Sequence, residues 1–326
     1  MTIARILFLT VAVAAGGWFF LQKFELQGLD QVRVEKREAG SGTEIIDALP
    51  PVKHRGPAIR IASFNIQVFG ASKSRKERVM DILARIARQF DVLAIQEIRA
   101  KNQDIIPRYV ELINSAGREY DYMIGPRLGR TSSKEQYAFI FDRASIEVDR
   151  RQLYTVDDPD DLLHREPLVG WFRVRGPPTD QAFTFTLINI HTDPDEIDQE
   201  LDVLDDVFQA VRDDGRGEDD VILLGDVNVD DKHLGELGQI PEITWVISQT
   251  PTNTRQTSQY DNVVFHGRAT TEFTGQAGVL DFMRRFNLTM DEALEVSDHM
   301  PVWCEFSIYE GGEPGRVATR PGPTRN

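Results

Sequence analysis

Eight side chains able to hold a metal ion or move a proton sit in six short segments. They are Asn65 in SFNIQVFG, Glu97 in LAIQEIR, Glu135 in SSKEQYAF, His191 in LINIHTDP, Asp226 and Asn228 in LLGDVNVD, and Asp298 and His299 in SDHMPV. Carboxylate and carboxamide oxygens suit a hard divalent cation such as magnesium, which keeps several waters and takes one or two carboxylates plus substrate phosphate. The two histidines supply proton transfer near neutral pH. Any one of these segments alone is ordinary turn chemistry, since an Asx residue after a strand often bonds its own backbone. Their recurrence is the signal.

Apolar runs at residues 91–95, 184–190 and 221–224 read as fully buried strands, so the next polar residue falls at a strand end and faces a cleft. Two segments carry helical spacing instead: Val79, Ile82, Leu83, Ile86 and Ala87, then Ile197, Leu201, Leu204, Phe208 and Val211. Each leads into a strand, one ending at Glu97 and the other at Asp226. Two β-rich halves with covering helices, packed sheet to sheet, are therefore expected, with the cleft along a shared edge. At 326 residues and 41% hydrophobic content the chain can bury one substantial core.

The order and wording of these segments resemble the endonuclease/exonuclease/phosphatase superfamily, most nearly its deoxyribonuclease I-like nucleases, over residues 59–306. LGRTSSKEQYAFIF (128–141) carries the likeness furthest, joined by HREPLVGWF from His164, QYDNVVF from Gln259 and EVSDHMPV from Glu295. The resemblance implies an α/β (α+β type) fold, a four-layer α/β/β/α sandwich of two packed mixed β-sheets. It also implies metal-dependent hydrolysis of a phosphodiester, with DNA the expected substrate and Mg2+ or Mn2+ the expected cofactor. Glu97 matches the superfamily's principal metal carboxylate, with Asn65 and Asp298 as partners. By the same resemblance His191 pairs with Glu135 and His299 with Asp261, one imidazole serving as base and the other as acid. Asp226 and Asn228 orient the attacking water or hold phosphoryl oxygens.

The net charge of −15 opposes a polyanion, because phosphate binding rests on lysine and arginine. A bound metal and the arginines flanking the cleft offset it locally, with Arg99, Arg130 and Arg165 the expected substrate contacts. Two groove-reading groups of the deoxyribonuclease pattern are absent: Ser133 stands where a stacking tyrosine precedes Lys-Glu, and Gln67 replaces an arginine after Asn-Ile. Weak sequence preference is expected. By the same resemblance calcium is a further expected structural cofactor, through Asp157, Asp158, Asp160 and Asp161 or through Thr252 and Thr254.

Residues 1–22 form an expected membrane anchor or signal segment: Met1 to Arg5 is a short basic start, and residues 6–21 carry no charge and close on Trp18, Phe19 and Phe20. Sixteen helical residues span about 24 Å, a little under the ~30 Å hydrocarbon core. Aromatics at the boundary favour an uncleaved anchor over a secreted, signal-cleaved form. Residues 23–57 read as a flexible linker, 58–309 as the catalytic domain and 310–326 as a disordered tail. The catalytic domain is placed outside the cytosol, as a monomer. The single cysteine, Cys304, lies in the apolar run MPVWCEF and reads as a buried, inert thiol, so the loops carry no disulfide. The alternatives are a phosphatase or phospholipid phosphodiesterase of the same superfamily, and a catalytically silent, membrane-tethered binding module.

Overall fold

The computed structural model describes residues 57–130 and 134–312. The expected anchor, most of the linker, Ser133 and nearly all of the tail lie outside the described residues. Among the described residues no helix is long and apolar enough to cross a membrane.

Two mixed sheets form the frame. The first runs β12-β13-β1-β2-β4-β3, from β1 (Ala58–Phe69), β2 (Val92–Ile98), β3 (Tyr120–Ile124), β4 (Gln136–Asp142), β12 (Phe273–Val279) and β13 (Val302–Ser307). The second runs β10-β11-β9-β8-β7-β5, from β5 (Ile146–Val148), β7 (Leu168–Val174), β8 (Thr184–His191), β9 (Val221–Asp226), β10 (Ile243–Trp245) and β11 (Asp261–His266), and β6 (Tyr154–Thr155) pairs with β7. Each sheet has one parallel pair at its centre, β1 with β2 and β8 with β9, and antiparallel neighbours around it.

A parallel pair needs a crossover, and the two segments with helical spacing provide it. Helix α1 (Glu77–Ala87) joins β1 to β2. Farther along lie α2 (Ile105–Asn114) and α3 (Ile197–Arg212), the latter joining β8 to β9, followed by the short α4 (Phe282–Arg285) and α5 (Met290–Val296). Apolar faces of α1, α2 and α5 pack on the outer side of the first sheet. Helix α3 covers the second through Leu201, Leu204, Phe208 and Val211. A third cluster, including Phe139, Phe172, Phe183, Phe185 and Phe306, fills the space between the sheets. Three interfaces make four layers, as the sequence pattern requires. Cys304 is fully buried in that middle layer, and burial raises its thiol well above the ordinary range.

Alternation explains the division along β9: Val221 and Leu223 face α3, whereas Ile222 and Leu224 face the other sheet. Because both faces are covered, the whole run is apolar, which is why it was legible as a buried strand. Asn65 departs from expectation. It lies inside β1, which continues to Phe69, and the pairing of β1 with β2 shifts register between Asn65 and Phe69. Such a bulge bends the strand and re-aims its side chains.

Gly225 closes the frame behind the site. A Cβ there would overlap the backbone carbonyl of Ile190 on the neighbouring strand, where no rotamer change can relieve it. Gly225→Ala is expected to cost about 3 kcal/mol or more, read as a lowered urea midpoint at unchanged slope. Activity should fall further than stability, since Gly225 and Ile190 precede Asp226 and His191.

Candidate active site

Parallel strands end, and their antiparallel neighbours begin, on the same edge of a sheet. In the second sheet this aligns His191, Asp226 and Asp261, with His191 opposite Asp226 and Asp226 opposite Asp261. The first sheet brings Asn65, Glu97 and Glu135 to the same end. Residues 297–299 reach it from the turn before β13: the Ser297 hydroxyl donates to the Asn65 carbonyl at 2.7 Å and accepts from the His299 amide at 3.1 Å.

Two carboxylate–imidazole pairs result. Glu135 Oε1 lies 2.6 Å from His191 Nδ1, and Asp261 Oδ2 lies 2.9 Å from His299 Nδ1. All four residues are buried. Both free ring nitrogens then converge on one oxygen: Asp226 Oδ2 is 3.6 Å from His191 Nε2 and 3.5 Å from His299 Nε2. Asn65 Nδ2 donates to the same oxygen at 2.9 Å, and to Glu97 Oε1 at 3.2 Å. Asp226 Oδ1 accepts the Asn228 amide at 3.0 Å, while Asn228 Nδ2 donates to the Thr192 carbonyl at 2.8 Å. Glu97 and Asn228 hold left-handed backbone angles, φ 58° and 54°. Non-glycine residues pay for that conformation, and it recurs where a side chain must be aimed.

The charges follow from burial and pairing. Burial opposes the imidazolium of His191, but the hydrogen bond and charge of Glu135 outweigh it and raise the ring's pKa. Glu135 is lowered despite burial, through His191, Arg165 and Arg99. His299 is raised well above its ordinary value, with Asp261 and Asp226 overcoming burial. Asp261 is raised because its own desolvation exceeds the help from His299.

The three expected substrate arginines differ in place. Arg165 is buried beneath His191, with Nε 3.1 Å from Glu135 Oε1 and also donating to the His191 carbonyl at 3.1 Å, so it braces the pair from behind. Arg99 stands at the rim, 3.1 Å from Glu97 Oε2 and 3.5 Å from Glu135 Oε2. Arg130 is held by Glu196 at 2.6 Å and Asp161 at 3.1 Å, a loop brace rather than a part of the convergent set.

Several supporting residues escaped the sequence reading. Gln96 donates to Asn189 Oδ1 at 2.6 Å and to Ser63 at 3.0 Å, a buried polar bridge between the sheets directly behind the site. Lys73 Nζ donates to the Val296 carbonyl at 2.7 Å and to that of Ile66, and burial lowers its pKa to about 8 against the pull of Asp298 and Glu97. Thr252 and Thr254, expected as calcium ligands, are fully buried and serve the site itself: the Thr252 hydroxyl donates to Asp261 at 2.7 Å and Thr254's to the Ser297 carbonyl at 2.7 Å. Among the described residues the Asp157 to Asp161 run forms no convergent group of potential ligands, whereas Asp226, Asp261 and His299 do. Asp158 instead caps the amides of Leu162 and Leu163.

A hard cation fits the front of this site. Asn65 Oδ1 and Asp298 Oδ1 are buried oxygens without a hydrogen-bond partner among the described residues. Glu97, bonded to Asn65, adds a carboxylate, and oxygen-only donors of this kind select magnesium or manganese over softer metals.

Solved structures share the fold. A humanized D. rerio TDP2 matches with a TM-score of 0.54 at 14% identity, covering 77% of this chain and 99% of that one. The human Nocturnin catalytic domain with bound sulfate matches at 0.52 and 15%, covering 78% and 94%. Among curated proteins, deoxyribonuclease gamma of Rattus norvegicus is 33% identical over 272 residues, 78% of this chain and 86% of its own length. Deoxyribonuclease-1-like 1 of Sus scrofa is 36% identical over 262 residues, 77% and 81% respectively. The model of the endonuclease/exonuclease/phosphatase family matches residues 62–299, a span that contains every convergent residue described above. The chain is a hydrolase of phosphoric esters and belongs to the endonuclease/exonuclease/phosphatase family.

Proposed function

We propose that this protein is an endonuclease that cuts DNA with little sequence preference, using a divalent metal and two oriented imidazoles. The observation that carries the mechanism is the pair of ring nitrogens facing the single oxygen Asp226 Oδ2 at 3.6 and 3.5 Å, each ring anchored through its other nitrogen on a buried carboxylate. That arrangement leaves two proton carriers on either side of one small space. Relatives at about one-third identity that bear deoxyribonuclease names favour DNA as the substrate.

Hydrolysis requires a water to approach phosphorus in line with the leaving oxygen, lose a proton and return one to that oxygen. One imidazole takes the proton of the water and the other protonates the leaving oxygen. Asp226 and Asn228 orient the water, and Asn65 fixes Asp226. Arg99 at the rim is the arginine placed to meet a phosphate, while Arg165 acts through Glu135 and His191 as a positioning residue. Asn65, Glu97 and Asp298 would hold the metal, which supplies positive charge against the phosphoryl oxygens when bound. The anchor reading of residues 1–22 places this domain outside the cytosol, tethered by residues 23–57, and the oligomeric state proposed is a monomer.

A supercoiled-plasmid nicking assay on the full chain tests the reading. Nicking should require magnesium or manganese and stop in chelator. His191→Ala and His299→Ala should each lower the rate by about 10²- to 10⁴-fold, the ordinary contribution of a general acid or base. Glu97→Gln should raise the magnesium concentration needed for half-maximal rate. Intact plasmid beside release of phosphate from lipid or sugar esters would transfer the function to the phosphatase alternative.

The pH profile isolates the Glu135–His191 pair. Glu135 favours the imidazolium, so His191 titrates above its ordinary value, and removing the negative charge must move it down. In Glu135→Gln the limb of the profile that reports His191 should shift to lower pH, whether His191 is the acid or the base, with kcat lowered. A limb that stays in place while kcat falls would show that Glu135 acts on folding alone.

A further inference from the structure

At the opposite end of the sandwich a second set of carboxylates converges. Asp220 immediately precedes β9, whose far end carries Asp226, about 20 Å away at 3.3 Å per residue. One oxygen each from Asp220, Glu272 and Glu310 lies within 4.8 Å of the others, and Glu218 and Asp219 adjoin the same point through Asp220. Asp220 and Glu272 are only 1% and 2% exposed. Among the described residues no lysine, arginine or histidine forms an ion pair with Asp220, Glu272 or Glu310, in contrast to the buried active-site carboxylates Glu135, Asp226 and Asp261.

Like charges this close in a dry pocket repel, and the cluster shows it: burial, then mutual repulsion, raises Asp220 and Glu310, and burial raises Glu272. A second, independent observation points to a cation ligand. The hydroxyl of Thr270, 1% exposed, is close enough to Asp220 to favour its charged form, yet closes no hydrogen bond of good geometry. Asp220 Oδ1 and Glu272 Oε2 are likewise buried without partners among the described residues. Unmet buried oxygens are costly, at about 1–3 kcal/mol each, unless something neutralises them together. The remaining contacts hold the cradle in shape: the Thr184 amide donates to Glu310 Oε2 at 3.3 Å, the Gly311 amide donates to Glu272, and Trp171 Nε1 donates to Glu218 Oε2 at 3.0 Å.

We propose that Asp220, Glu272, Glu310 and the Thr270 hydroxyl form a structural calcium site that ties the start of β9 to the segments before β12 and after β13. Calcium suits it better than magnesium. Calcium accepts several carboxylates in irregular geometry, whereas magnesium demands a near-ideal octahedron and keeps most of its waters. Glu310, only half-buried, leaves the path by which the ion and its waters enter. The ion stabilises the sandwich at the end remote from catalysis, in a chain with one cysteine and hence no internal disulfide.

The test uses the full chain in magnesium-saturated buffer. Added calcium should raise the melting temperature of the wild type by several degrees, and Asp220→Asn and Glu272→Gln should each lose that shift while melting higher than wild type without calcium, because like-charge repulsion is relieved. Terbium luminescence excited through tryptophan gives a second readout: it should titrate as one site, dim in Trp171→Phe and in Asp220→Asn, and persist in Glu97→Gln. An equal calcium shift in wild type and Asp220→Asn would overturn the proposal, as would terbium emission that Glu97→Gln removes and Asp220→Asn leaves intact.

Discussion

A carboxylate taken out of water must be given a cation or a donor, and this requirement organises the whole catalytic end of the molecule. Glu135, Asp226 and Asp261 are almost wholly buried where the two sheets meet. An isolated carboxylate in such a place would cost several kcal/mol and take up a proton instead. Each is therefore the partner of something else: Glu135 of His191 and Arg165, Asp261 of His299 and Thr252, Asp226 of Asn65 and the Asn228 amide. The imidazoles gain orientation as a by-product, since a ring bonded at Nδ1 can present only Nε2 forward.

That arrangement cannot exist on one sheet. His191, Asp226 and Asp261 are adjacent in the register of the second sheet, but Glu135, Asn65 and Glu97 belong to the first. Packing of the two sheets across the aromatic middle layer is what brings a carboxylate of one to an imidazole of the other. The bridge from Gln96 to Asn189 locks that relation one residue from Glu97 and two from His191, so the geometry of the site and inter-sheet packing are one constraint.

The sequence showed what depends on local pattern. Runs such as residues 221–224 are apolar throughout because β9 is covered on both faces, and α1 and α3 carry their periodicity because only one face is buried. His191 and Asp226 were legible as candidates because they close such runs, whereas Glu135, Asp261 and His299 stand where strands begin and were named through the family resemblance. What stayed hidden depends on neighbours distant in the chain. Nothing local distinguishes Arg165, which ends beneath His191, from Arg130, which ends between Asp161 and Glu196. Thr252 and Thr254 read as loop ligands for calcium through the family resemblance, yet both are buried and bonded to Asp261 and Ser297. Asn65 read as a strand end because the apolar run stops there, whereas β1 continues through a bulge for four more residues, to Phe69.

The surplus of negative charge, −15 over the chain, looks at first incompatible with an anionic substrate. The two ends of the sandwich show why it is not. Charges on exposed faces act over roughly 8 Å at physiological salt before counterions screen them, a distance short of the length of β9. At the catalytic end the nearby groups are the two imidazoles with raised pKa values, Arg99 and Arg165, together with oxygens suited to a divalent cation. The acids around Asp220 sit at the far end of the same strand. The field felt by a phosphate is set by its own neighbourhood and not by the sum over the chain, so an acidic protein can present a site suited to a phosphate where its strands end in the right partners.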